Sequence, residues 1–185
     1  MEGTVVREGT SKTGTPYTIR YPKSDDAESV WKYANRLSQE RTFVRFQGEE
    51  ILLEKEIEVV GKWIRAIEAK EEVVLFLEVD GDIQGISSLE MDSKTEAHIG
   101  TLALSVDQSV RGQGLGELLM AAVMDEAKSR IARLELFILS VKEPNEVAIA
   151  LYKKLGFMEY GNLPNGTTHG GVRVGSLFMY KAVER

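Results

Sequence analysis

Val106-Asp107-Gln108-Ser109-Val110-Arg111-Gly112-Gln113-Gly114-Leu115-Gly116 leads from an apolar, strand-like segment through three alternating glycines into a long amphipathic run. Glycine takes positive φ without steric cost, so the backbone can turn sharply with successive N–H groups aimed into one hollow. A helix starting at the same point adds its unpaired first-turn donors and the positive end of its dipole. The stretch therefore reads as a cradle for an anion such as a pyrophosphate, with a purely structural tight turn as the competing reading. Its spacing fits neither G-x-G-x-x-G nor G-x-x-x-x-G-K-[ST], which sets aside the dinucleotide fingerprint and the nucleoside-triphosphate loop.

A second informative segment is Asn145-Glu146-Val147-Ala148-Ile149-Ala150-Leu151-Tyr152-Lys153-Lys154-Leu155-Gly156-Phe157. It reads as a short helix begun after Pro144 and stopped at Gly156. On a helical wheel Asn145, Ala148, Ile149 and Tyr152 share one face, which the reading assigns to a site. Val147, Leu151 and Leu155 form an apolar stripe expected to pack on a sheet.

Together, Arg-x-x-Gly-x-Gly over Arg111–Gly116 and the Asn-x-x-Ala…Leu-Tyr…Gly-Phe pattern one helix and one strand later resemble the two signatures of the GNAT superfamily of N-acetyltransferases. Two motifs in the right order are far more specific than either alone.

Composition fits this resemblance. The chain has 185 residues, 43% of them hydrophobic, enough for one soluble domain with a substantial core. No apolar run reaches membrane-span length and the N-terminus lacks a charged-then-apolar leader pattern, so a cytoplasmic, non-membrane protein is expected. Zero cysteines exclude a thiolate metal site and an acyl-cysteine intermediate, and two histidines are too few for a usual zinc site, so no metal is expected. The net charge of −6 argues against broad contact with nucleic acid. It suits a cationic amine substrate, or serves solubility alone.

Along the chain, Thr4–Glu8 and Tyr17–Tyr21 are β-prone and flank a polar, glycine-bearing turn. They read as an N-terminal hairpin within residues 1–21, or as an extra first strand. Helices are expected over 25–39, capped by Ser24 or Asp25, and over 53–69. Strands are expected over 72–79 and 83–91, joined at Asp80-Gly81-Asp82, then over 97–106, 134–141, 157–160 and 172–180. The helix after the glycines carries Leu115, Leu118, Leu119, Ala122, Val123 and Ala127 on one stripe. A Gly- and Asn-rich loop containing His169 links the last two strands. This order implies a mixed α/β (α+β) single domain over 1–185. The resemblance sharpens that to a mostly antiparallel central sheet flanked by helices, with two central strands splayed apart. It leaves the N-terminal hairpin unexplained.

For chemistry, the resemblance implies an N-acetyltransferase that uses acetyl-coenzyme A as co-substrate and a primary amine as acceptor. The amine would attack directly in a ternary complex. The pyrophosphate would lie on backbone amides from Gln113 through Gly114, Leu115 and Gly116 to Glu117, with Arg111 and Gly112 shaping the mouth. The pantetheine arm would pair with backbone groups at Leu104 and Val106 and touch Asn145, in the gap between the strands over 97–106 and 134–141. Tyr152 matches the tyrosine that donates a proton to the departing sulfur; its competing reading is a core tyrosine with a satisfied hydroxyl. His98, expected on the strand before the loop, is the candidate base, with Glu96, Glu90 or a water chain as alternatives and an exposed strand-end role as the bland one. Acceptor contacts would come from 30–50 and 161–174, where Trp31, Phe43 and Phe46 with Glu40, Glu49 and Glu50 are candidates to hold a cation. A non-catalytic module sensing acyl-coenzyme A is the alternative function, and a homodimer through the terminal strands is a further possibility.

Overall fold

The computed structural model describes residues 1–184. Val5–Thr10 (β1) and Pro16–Arg20 (β2) form a hairpin, followed by helices Ala27–Gln39 (α1) and Leu53–Glu68 (α2). Glu72–Val79 (β3), Asp82–Met91 (β4) and Ile99–Val106 (β5) then lead into Leu115–Arg130 (α3). The chain finishes with Leu136–Lys142 (β6), Glu146–Lys154 (α4), Met158–His169 (β7) and Val172–Ala182 (β8). All eight strands join one sheet in the order β1-β2-β3-β4-β5-β6-β8-β7. Every neighbouring pair is antiparallel except β5–β6.

The core sits on both faces of β3, whose unbroken Val73-Val74-Leu75-Phe76-Leu77 run is fully buried. A strand covered on both sides has no polar face to show, which is why its sequence does not alternate. On one face lies α3: Ser87 of β4 reaches Met120 at 3.6 Å, and Leu115, Leu119, Val123 and Ala127 are buried beneath it. On the other lie α1 and α2, where Trp63 meets Phe76 edge to face and the Tyr33 hydroxyl donates to Ser105 of β5 at 2.8 Å. The β3–β4 link is a two-residue turn with Asp80 and Gly81 both at positive φ, the geometry that suits the twist of a tight hairpin.

Three features depart from the sequence reading. Asp26, not Ser24 or Asp25, precedes α1, and its carboxylate makes no cap bond to the helix. It is occupied by the buried Arg20 at 2.7 and 2.8 Å and by the Lys23 amide. The segment 161–169 is not a loop but most of β7, paired with β8 through two register shifts. Those shifts absorb residues that break regular pairing, including Asn165 at positive φ. His98 stands in the turn before β5 rather than on the strand.

The parallel contact between β5 and β6 is what shapes the site. They pair only at Ile99–Leu136, Gly100–Phe137 and Thr101–Ile138. Beyond Thr101 the strands diverge, and β6 is held from its other side by β8 along its whole length.

Candidate active site

The divergence opens a groove of about 530 Å³, within the range of small-ligand sites. Leu104, Ser105 and Val106 of β5 form one wall, and Asn145, Val147, Ala148, Leu151 and Tyr152 of α4 form the other. The glycine loop and the start of α3 close one end, and Thr42, Phe43 and Val44 lie along the rim. The Asp107 amide donates to the Gln84 carbonyl at 2.8 Å. By the alternation of an antiparallel ladder, Leu104 and Val106 therefore turn their N–H and C=O groups away from β4 and into the gap. The Leu104 and Val106 side chains lie under Gly116, where a Cβ would stand 3.8 and 3.4 Å from them.

At the closed end Gly114 precedes α3 with φ 81° and ψ 0°, and Gly112 has φ 75°. The first helical bond of α3 runs from the Leu118 amide to the Gly114 carbonyl at 3.2 Å. The amides of Gln113, Gly114, Leu115, Gly116 and Glu117 have no acceptor among the described residues. Five unpaired donors gathered at the positive end of a sixteen-residue helix are an arrangement that favours an anion. Glu117, in that first turn, is ion-paired with Lys154 of α4 at 2.6 Å, and this pairing holds its carboxyl below the usual range.

Arg111 braces the mouth rather than facing the groove as a free cation. Its Nε donates to the Val106 carbonyl at 2.9 Å and its guanidinium pairs with the buried Glu40. Glu40 also accepts from the Gln108 amide at 3.0 Å, so this carboxylate pins the loop. Gln113 likewise serves structure through its side chain: its Oε1 accepts from Thr13 and Thr15 hydroxyls at 2.8 Å each and from Ser11 at 3.2 Å. The hairpin that the sequence left unexplained is thus docked on the glycine loop.

On α4, Asn145 caps the helix, its Oδ1 accepting from the Ala148 amide at 3.3 Å. Asn145 lines the groove, and its Nδ2 makes no hydrogen bond to a described residue. Tyr152 is the buried residue of this helix, and burial pushes its hydroxyl up to about 12. The hydroxyl makes no hydrogen bond to a described residue, and the side chain lines the groove. The apolar stripe is a correction: Val147 does not pack on the sheet but is 84% exposed, lining the groove with Leu151. The nine-residue α4 stands above the strand gap, so the side facing β5 looks onto ligand space.

His98 is also corrected. It is exposed, and its strand is eight residues long with the groove at the far end. At about 3.3 Å per residue, the two ends of β5 stand roughly 23 Å apart, too far for proton transfer. Glu96 lies in the same exposed turn and Glu90 pairs with Thr101 and Lys62 at that end.

The suggested cation cage does not assemble either. Glu40 is committed to Arg111, the Trp31 indole donates to the Ile51 carbonyl at 2.7 Å, and Glu49 accepts from the Gln47 amide. Phe43 alone of that set reaches the groove, and its ring stacks on His169 at 4.3 Å. Lys142 bridges the same two segments, donating to Val44 and Thr168 carbonyls at 3.3 Å. Segments 42–44 and 168–169 therefore meet above the end of β6, beside the groove.

Comparison with known proteins agrees with this geometry. Residues 22–157 match the model of the acetyltransferase (GNAT) family. Over 77 residues, 42% of this chain and 44% of the relative, the sequence is 32% identical to N-alpha-acetyltransferase RimI of Mycobacterium tuberculosis. The matched stretches reach less than half the length of the curated relatives. An acetyltransferase of the GNAT family from Streptococcus pneumoniae superposes with a TM-score of 0.82 at 24% identity, over 91% of this chain and 99% of that one. YncA, a putative acetyltransferase from Salmonella typhimurium solved with acetyl-CoA, gives 0.77 at 18% identity over 91% and 95% of the two chains. With the family pattern spanning both the glycine loop and the Tyr152 helix, the chain belongs to the GNAT acetyltransferase family.

Proposed function

We propose that the protein is an N-acetyltransferase that moves the acetyl group of acetyl-CoA to a primary amine, on a small molecule or a protein, by direct attack. One observation carries this reading. The strand gap between β5 and β6 leads from five amides at the glycine loop to the hydroxyl of the buried Tyr152, none of them hydrogen-bonded to a described residue. The YncA structure, solved with acetyl-CoA, lends support through its shared fold.

The chain's own groups divide the work. The loop amides hold the diphosphate, the Leu104 backbone and the Val106 amide offer pairing along the gap while Arg111 holds the Val106 carbonyl, and the Asn145 amide donates to the arm from the opposite wall. An amine attacks only when neutral; as its nitrogen bonds to the acetyl carbon, the carbon–sulfur bond breaks. Tyr152, kept protonated by burial, donates its proton to the departing sulfur and regains one from solvent. Glu117 is the lining carboxylate among the described residues and is bound to Lys154 at the diphosphate end. We therefore assign loss of the amine proton to water rather than to a side-chain base. We also place the reaction in the cytoplasm, where acetyl-CoA is supplied.

The test is acetyl transfer to a panel of amines, read as release of free thiol, with Tyr152→Phe beside the wild type. Removal of the donor should lower kcat by about 100-fold, the lower range for a general acid because a thiolate leaves readily, with little change in coenzyme affinity. Tight coenzyme binding with no turnover on any amine would favour the sensing module instead.

A further inference from the structure

We propose that the N-terminal hairpin is part of the coenzyme site and that Lys12, at its tip, is a ligand for the coenzyme diphosphate. The inference rests on the acetyl-CoA reading above and adds a residue outside the family pattern, which begins at residue 22.

The hairpin tip is built to hold Lys12 in place. Ser11 is buried; its amide donates to the Thr15 carbonyl at 2.8 Å, and the Gly14 amide closes the turn onto the Ser11 carbonyl at 3.1 Å. The Ser11 hydroxyl accepts from the amides of Thr13 and Thr15 at 3.3 and 3.1 Å. Hydroxyls of Ser11, Thr13 and Thr15 then converge on the Gln113 side chain, inside the glycine loop itself. Fixing these four residues fixes the one between them. Lys12 lies across Gly114: a methyl added there would stand 3.2 Å from its Cε and 3.6 Å from its Nζ.

Charge supplies the second half of the argument. Among the described residues two cations line the groove, Lys12 and Arg111, and Arg111 is neutralised by Glu40. Lys12 forms no ion pair among the described residues, because the nearby Glu117 is paired with Lys154. The loop amides offer partial charges to a dianionic diphosphate; Lys12 offers a full one beside them, on a turn that is already ordered. A lysine side chain loses much rotamer freedom on binding, and its exposed position leaves the fold indifferent to its removal.

Calorimetric titration of acetyl-CoA and its 3′-dephospho analogue into wild type, Lys12→Ala, Lys12→Arg and Gln113→Ala tests the assignment, with melting curves as the control for folding. Lys12→Ala should weaken both ligands about tenfold, equivalent to about 1.4 kcal/mol, with an unchanged melt, and Lys12→Arg should restore most of the loss. Gln113→Ala, which frees the tip, should weaken binding severalfold and add little on top of Lys12→Ala. Equal affinity of Lys12→Ala and wild type overturns the role of the hairpin while leaving the acetyltransferase reading intact. A loss seen with acetyl-CoA but not with the dephospho analogue moves Lys12 to the 3′-phosphate and overturns the diphosphate assignment. A folded wild type that binds neither ligand overturns the acetyltransferase reading, and this one with it.

Discussion

Replacing Gly114 by alanine separates the two things this glycine does. At φ 81° and ψ 0° an L-residue pays about 1–2 kcal/mol, so a chain of this size should melt about 2–8 °C lower. The new methyl also stands 3.2 Å from Lys12 Cε and 3.3 Å from Cδ, a flexible neighbour that can move aside, so the fold pays little more. Coenzyme binding pays in full, because relief of the strain swings the loop amides away from their common hollow. Losing two hydrogen bonds to a charged group, at about 1.5–3 kcal/mol each, predicts affinity weakened at least 100-fold. Gly112→Ala is the matched control: its φ of 75° carries similar strain and nothing lies within 4 Å of the added methyl, but it stands before the five amides from Gln113 to Glu117, whereas Gly114 lies among them. Melting curves and calorimetry on both variants should show similar losses of stability and a much larger loss of binding at position 114. If Gly114→Ala binds acetyl-CoA within threefold of wild type, or if Gly112→Ala binds as poorly, the cradle is not where the geometry puts it.

The same structure makes two further quantitative statements. His98→Ala, at the far end of β5, should leave kcat/KM unchanged at every pH, with the rate following the neutral fraction of the acceptor amine; an acid limb lost in this variant would restore His98 as the base. Glu72, buried with one carboxylate oxygen unpartnered, is pushed up to about 7, first by burial and then by Glu90. A carboxyl raised in the folded state favours folding while protonated, and its penalty grows as pH rises from about 4.5 through 7. The stability of Glu72→Gln relative to wild type should therefore rise by on the order of 2 kcal/mol between pH 5 and pH 8, and a difference flat with pH in denaturant titrations would sink the argument.

What the sequence made legible, and what it hid, divides by the range of the interaction. β3 was read to the residue because its ends are set by an apolar run and a two-residue turn, both local. The glycine loop and the bounds of α4 between Pro144 and Gly156 were legible for the same reason: positive φ and a helix terminus leave marks within a few residues. The failures involve partners far along the chain. Ser24 or Asp25 was expected to cap α1, but the helix starts after Asp26, whose carboxylate is drawn into an ion-pair cluster through Arg20 to the distant Glu78, and Val147 looked like core until α4 was seen above a gap in the sheet. His98 failed through register: counting residues along β5 says how far it is from the loop, but only the strand's direction shows that the distance is spent moving away from the site.

Gln113 shows why such errors concentrate around a site that is otherwise well read. In the sequence it is a spacer between two glycines, and any side chain would serve that purpose. In the fold it is the anchor for a segment about a hundred residues earlier, tied by three hydroxyls that look like ordinary turn residues. Polar residues in turns satisfy their neighbours by default, so a turn whose hydroxyls, beyond doing so, also converge on one outside acceptor is being positioned for something. Here the residue so positioned is a lysine beside a row of empty amides. A turn whose only task was to end a hairpin would need neither the anchor nor the charge, so the docking of Ser11, Thr13 and Thr15 is best understood as a cost met in advance of coenzyme binding.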